Sequence, residues 1–312
     1  MTDSDYKHAT VLLEEAVETV VTDPDGVYID GTFGRGGHSR HILQSLSKDG
    51  RLIAFDKDPE AVSAGRRLAN SDTRFEIIHD SFSALEHHVQ QRGLSEKVTG
   101  VLLDLGVSSP QLDDAARGFS FMKDGPLDMR MNTESGQSAA EWLNTADVED
   151  ISKVLKELGE ERFAWRIAQA IVARREQQPL QTTLDLAKLI EAAVPFKEKG
   201  KHPATRSFQA IRIHINRELD DLSDVLNQAL KVLKIHGRLS VISFHSLEDR
   251  MVKRFIKKKE KGESIPRHLP IPDSMIKKEA RGIGRAIRAS KAEVSANVRA
   301  RSAIMRVMEK LG

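Results

Sequence analysis

The chain has 312 residues with no cysteine, and its 48 Lys and Arg nearly balance its 46 Asp and Glu. Disulfides and thiolate-bound metals are excluded, and no metal ligand set is expected. Met1 to Val21 carries early acids rather than a basic leader, and no run approaches ~18 consecutive apolar residues, so a soluble cytoplasmic protein of one large or two ordinary domains is expected, with no membrane partner.

Val27, Tyr28 and Ile29 have the β-branched and aromatic character of a buried strand. Asp30 ends it, and Gly31-Thr32-Phe33-Gly34-Arg35-Gly36-Gly37-His38 follows. Ile42, Leu43 and Leu46 then recur at helical spacing. Strand, glycine turn and helix make a nucleotide-cofactor loop, where glycine lets backbone N–H groups and a helix N-terminus approach the ligand. The strict dinucleotide spacing would place a third glycine at Ser39. The carboxylate of Asp30 suits the amino and sulfonium cations of S-adenosylmethionine (SAM) better than a pyrophosphate. A second strand, Arg51 to Phe55, ends at Asp56, which can accept from both ribose hydroxyls of SAM or NAD, or simply cap a helix.

A third strand within Arg74 to Asp80, a helix from Ser83 to Gln91 and a fourth strand from Val98 to Leu105 continue the alternation of a doubly wound, mostly parallel Rossmann-like α/β sheet. The alternation then stops. Asp113 to Gly136 has no clear period, and Ser138 to Val194 reads as amphipathic helices, so an all-helical domain is expected at 113–212, inserted between halves 1–112 and 213–312. A helix from Leu219 to Leu233 with a stop at Gly237, a strand from Arg238 to Phe244, and a closing edge strand from Arg301 to Met308 complete the pattern. From Arg250 onward there are 18 Lys and Arg against 6 Asp and Glu, either a solvated tail or a polyanion-binding surface.

Ligands of such sheets bind outside the carboxyl ends of the strands, where strand order reverses. Asp30 to His38, Asp56, His79-Asp80-Ser81-Phe82 and Asp104 to Gln111 converge there. Ser108-Ser109-Pro110-Gln111 resembles the [Asp/Asn/Ser]-Pro-Pro-[aromatic] loop of amino-methyltransferases, whose oxygens hold an exocyclic amine. Ser109 replaces the first proline and Gln111 the stacking aromatic, and an ordinary Ser-Pro turn is the alternative.

Further motifs are Lys7-His8-Ala9-Thr10-Val11-Leu12-Leu13-Glu14-Glu15, Arg117-Gly118-Phe119-Ser120-Phe121, Gly125-Pro126-Leu127-Asp128-Met129-Arg130-Met131, His202-Pro203-Ala204-Thr205-Arg206 and Ser243-Phe244-His245-Ser246-Leu247-Glu248-Asp249-Arg250. Together with the glycine and Ser-Pro loops, they closely resemble the bacterial small-subunit rRNA cytosine-N4 methyltransferases, the RsmH (MraW) family, in order along nearly the whole chain. The resemblance implies a class I SAM-dependent methyltransferase acting on the N4 amine of one cytidine in the decoding centre of 16S rRNA. It implies cofactor contacts at Gly36, Gly37, His38, Asp56, Phe82, Asp104 and Gln111, while Asp104 and the Ser-Pro loop residues Ser109 and Pro110 are the candidates for the chemistry. Phe119 or Phe121 is expected to cover the base in place of the missing aromatic, unless both pack under the inserted helices. Lys201, Arg206, Arg212, His245 and Arg250 are the candidates for RNA capture, with an Asp249–Arg250 pair as the alternative for the last. A nicotinamide oxidoreductase, a non-catalytic rRNA assembly factor and a DNA amino-methyltransferase are the competing readings.

Overall fold

The structure, a computed structural model, describes residues 10–196, 200, 202–262 and 277–312, so Lys201 lies outside the described residues. The chain divides into two compact units, one of residues up to 106 together with 219–312, the other of residues 107–218. The sequence pattern set the insertion at 113–212; the packing groups residues 107–218, six residues wider at each end.

Unit one begins with α1 (Leu13–Val20), β1 (Val27–Asp30), α2 (Gly37–Ser45), β2 (Arg51–Asp56), α3 (Pro59–Ser71), β3 (Phe75–His79), α4 (Leu85–Gln91) and β4 (Val98–Asp104). A single 3-10 turn, Phe82–Ala84, precedes α4 where one continuous helix was expected. Unit two holds α5 (Ser109–Asp113), α6 (Ala139–Thr145), α7 (Val148–Gly159), α8 (Ala164–Gln177), α9 (Thr183–Ala193) and α10 (Thr205–Asn216). The chain returns to unit one with α11 (Glu218–Val232), β5 (Leu233–Ser243), α12 (Ser246–Lys261), β6 (Ala280–Gly282), β7 (Ile287–Arg288), α13 (Lys291–Ala296) and β8 (Ile304–Lys310).

The sheet order is β3-β2-β1-β4-β5-β8-β6, with β7 also bonded to β8. β1 to β5 pair in parallel, and β8 runs antiparallel to β5. Strand order reverses between β1 and β4, which places the switch point beside Asp30 and Asp104. Strands buried on both faces read as apolar runs, and β4 is buried at every position but its final Asp104. One apolar cluster fills each face: Phe55, Leu85, Leu103 and Leu226 belong to one, Tyr28, Ile42, Leu52 and Leu102 to the other.

Two expectations are corrected. β8 is not an edge strand, since β6 and β7 cover its far side. Gly237 does not stop a helix. α11 passes straight into β5, and Gly237 lies in an irregular stretch where the register against β4 slips from Leu233–Val98 to Arg238–Gly100, with His236 in the left-handed region at φ 64°.

Unit two has its own core, in which Leu127 from the non-helical entry meets Leu143, Ile151, Leu155, Ile167, Ile171, Ile190 and Ile211 from the inward stripes of its helices. Its non-helical entry is held by polar contacts. Arg117 Nη2 donates to the carbonyls of Arg130 and Met131 at 3.1 and 3.0 Å, and Asn216 bridges Met131 N–H and the Met129 carbonyl at 2.7 Å each. No described helix is long and apolar enough to cross a membrane.

Candidate active site

In unit one, four strand ends supply the site. Asp30, 1% exposed, accepts from Thr32 N–H at 3.0 Å and from Ser39 Oγ at 2.6 Å. Ser39, at the position of the third glycine of a dinucleotide loop, thus clamps Asp30 to the first turn of α2. Both oxygens of Asp30 are thus used to shape the loop. The turn is tight as well: a Cβ on Gly37 would lie 1.9 Å from Thr10 Oγ1. At Gly34, by contrast, φ is +55° and an added Cβ would meet nothing within 4 Å, so the loop leaves open space above it.

Asp56 ends β2 and closes the same loop from the other side. Its Oδ2 accepts from Gly34 N–H at 2.7 Å and its Oδ1 from Asp58 N–H at 2.8 Å. Burial pushes its pKa up to about 6 against those two hydrogen bonds. Asp58, rather than Asp56, caps the next helix. Lys57 forms an ion pair with Asp221, which also accepts from Ser81 Oγ at 2.7 Å, so the ends of β2 and β3 are tied to α11. Phe82 follows, partly buried and packed on the sheet core.

His38 is 4% exposed, with Nε2 3.2 Å from the Val11 carbonyl and Nδ1 3.6 Å from Asp104 Oδ2. Burial lowers its pKa to about 4, so the ring is neutral near pH 7. Donation from Nε2 to Val11 then leaves Nδ1 as a bare lone pair towards Asp104. Asp104 has its backbone N–H on Thr32 Oγ1 at 2.7 Å, and its buried Oδ1 has no hydrogen-bond partner among the described residues. Its pKa is raised well above the carboxylate range by burial, then by the charges of Asp30 and Glu248. Among the described residues neither Asp30 nor Asp104 has a Lys or Arg partner. These two buried carboxyls are therefore without a counter-charge among the described residues.

Glu248 was not singled out from the sequence, yet it is 2% exposed and accepts from Phe244 N–H at 2.8 Å and His245 N–H at 3.2 Å. The legible signal was the spacing His245-x-x-Glu248, a capping box at the start of α12. His245 is corrected from phosphate ligand to helix cap, its Nε2 3.1 Å from Glu248 Oε1. Asp249 does not pair with Arg250; both its oxygens hold Arg306, at 2.7 and 3.1 Å. Arg250 is exposed on α12.

In unit two, Ser109 and Pro110 form the first turn of α5, and Ser108 N–H donates to Gln111 Oε1 at 2.8 Å. Gln111 is buried and caps that turn. Phe119, 5% exposed, lies in the core of the unit, which leaves no ring face for a base and corrects that assignment. Phe121 is partly exposed and contacts the rings of His202 at 4.6 Å and Phe208 at 4.8 Å. Arg212 is corrected too: Glu218 binds its guanidinium at 2.8 and 2.9 Å. Arg206 is partly exposed on α10, with Nη1 3.4 Å from the Glu160 carbonyl.

A doubly wound sheet with an acidic, glycine-lined crevice at its switch point and a helical insertion defines the class I methyltransferase fold. The chain belongs to the MraW methylase family, whose model matches residues 5–311. It is 56% identical over 310 residues to the ribosomal RNA small subunit methyltransferase H of Alteromonas mediterranea, covering 99% of each chain. Among solved structures it is similar to a Streptococcus mutans protein in complex with SAH, at 12% identity and TM-score 0.42 over 97% of this chain and 99% of that one. A second is an rRNA methylase of Streptococcus thermophilus, at 12% identity and TM-score 0.39 over 95% of this chain and 92% of that one.

Proposed function

We propose that this protein transfers a methyl group from SAM to the exocyclic N4 amine of a cytidine in the decoding centre of 16S rRNA, as a cytoplasmic enzyme. The observation that carries the cofactor reading is the orphaned Oδ1 of Asp104, a buried carboxyl with no lysine or arginine partner among the described residues. A buried carboxyl with no counter-charge fits a cationic ligand, and SAM brings an ammonium and a sulfonium; the pyrophosphate of a nicotinamide dinucleotide would add negative charge to negative. The substrate reading rests on the Alteromonas relative, which spans the whole chain.

When bound, SAM supplies an electrophilic methyl group to an amine whose lone pair is delocalised into the ring. Asp56 accepts hydrogen bonds from the ribose hydroxyls with the lone pairs that Gly34 and Asp58 leave open. Asp104 holds the ammonium group, and the bare Nδ1 of His38 keeps that side of the carboxylate an acceptor field. Gly36 and Gly37 let backbone N–H groups come close to the methionine carboxylate, and Phe82 lies beside the adenine. Ser109 and Pro110 orient the cytosine amine, and Gln111 fixes their turn. Unit two recognises the RNA, with Phe121 rather than Phe119 as the base-covering ring and Arg206 as a phosphate contact. The test is mass spectrometry of nucleosides from small subunits of a strain lacking the enzyme, incubated with the protein and SAM. N4-methylcytidine is the expected product, and its absence overturns the reading.

A further inference from the structure

β6 and β7 bond to the same side of β8, Gly282 opposite Met308 and Ile287 opposite Met305. Residues 283–286 therefore face only Arg306 and Val307, and the surplus residues bulge from the sheet edge towards α12. Between bulge and helix lies a cavity of about 130 Å³ whose charged lining is Lys253, Lys257, Arg285, Arg306 and Glu260. That is more room than one water needs.

We propose that this cleft seats backbone phosphates of the RNA substrate, an inference that rests on the rRNA reading above. The charge accounting of the surrounding segment carries it. Asp249 is taken by Arg306, Glu279 by Lys259, and Glu309 by Arg281 and Arg238. Glu260, in the cleft itself, accepts from Gly282 N–H at 2.6 Å, and Glu293 accepts from Leu12 N–H at 2.7 Å. Lys253, Lys257 and Arg285 are then left around one concavity with no ion-pair partner among the described residues. Lys253 and Lys257 are one helical turn apart on α12 and exposed, and Arg285 faces them from the bulge. Protection of an edge strand accounts for an arginine on a bulge. It does not account for two lysines across the cleft from it. Three exposed cations lining a groove match a polyphosphate backbone, which needs neutralisation without sequence readout.

The test compares wild type with the triple variant Lys253→Ala, Lys257→Ala, Arg285→Ala and with a charge-keeping triple, Lys253→Arg, Lys257→Arg, Arg285→Lys. Filter binding of deproteinised 16S rRNA and of small subunits is followed from about 50 to 300 mM KCl, with SAM affinity and melting temperature measured alongside. The alanine triple should bind deproteinised rRNA at least about tenfold more weakly at physiological salt, with a salt slope shallower by about 2. SAM affinity and melting should hold, and the charge-keeping triple should restore binding. An unchanged slope overturns the cleft, as does a loss seen on assembled subunits alone, which would assign it to a ribosomal protein. Wild-type methylation of the same subunits is scored separately: if it is absent the enzymatic reading fails, and if it is present with an unchanged slope only the cleft does.

Discussion

Asp56 and His38 titrate in opposite senses because the same burial acts on an acid and on a base. The ribose hydroxyls donate to Asp56, so SAM binds its ionised form, and binding below about pH 6 must expel a proton. SAM affinity measured by calorimetry should therefore climb as the pH rises through about 6. Asp56→Asn should remove the part of that rise that Asp56 carries, leaving the part due to Asp104, and weaken binding by roughly 10- to 100-fold, the worth of hydrogen bonds to a charged acceptor. For the apoprotein, His38 is neutral in the fold down to about 4 and protonates in the unfolded chain near 6.5, so its contribution to stability is lost as pH falls across that window. Asp30, Asp56 and Asp104, raised by burial, act the other way and favour the folded state as they take up protons. His38→Gln should consequently raise the melting temperature at about pH 5 relative to that at about pH 7, compared with the same difference in wild type. An identical difference in both proteins would show that His38 does not titrate between the two states.

At the level of elements, the glycine turn and the sheet ends were legible because short-range chemistry fixes them. The strand ending in Asp30, the turn with His38 at its close and the strand ending in Asp56 all stand where the pattern put them. Which partner each side chain takes was not legible. Ser39 clamping Asp30, Glu218 holding Arg212 and Arg306 holding Asp249 join residues that periodicity cannot pair. His245 was misread because a polar residue before a helix serves equally as cap or ligand, and Gly237 because a glycine after a helix serves equally as a stop or as an irregularity in a strand. Gly37→Ala tests the tightness of the turn: the new methyl must displace Thr10, for a cost of about 1–3 kcal/mol, and should weaken SAM binding at the same time. Thermal melting and calorimetry of this one variant read both effects.

For the molecule as a whole, two separate cores let damage be assigned. Leu155 is fully buried among the helices of unit two, and Leu155→Ala should cost roughly 2–5 kcal/mol there. Methylation of small subunits should fall near the melting range of that unit while SAM affinity, carried by unit one, is kept; a parallel loss of SAM affinity would contradict the division of labour. The break in alternation placed an insertion at 113–212, whereas packing groups Val107 to Glu218 into one unit, because Val107 and Glu218 join it through contacts that periodicity does not show.

The position of β8 has a consequence for how the sheet is built. Residues 304–310 come after all three strands they join, so β5 waits with one row of N–H and C=O groups bare, and β6 and β7 have no ladder to enter until this segment arrives. A nascent chain that has emerged only as far as residue 303 thus presents an open, apolar strand margin, the kind of surface that chaperones cover and aggregates grow from. Closure by one late, antiparallel wedge also assembles the basic cleft, because Arg306 and Val307 form its floor. The protein acquires that surface at the moment its sheet is sealed.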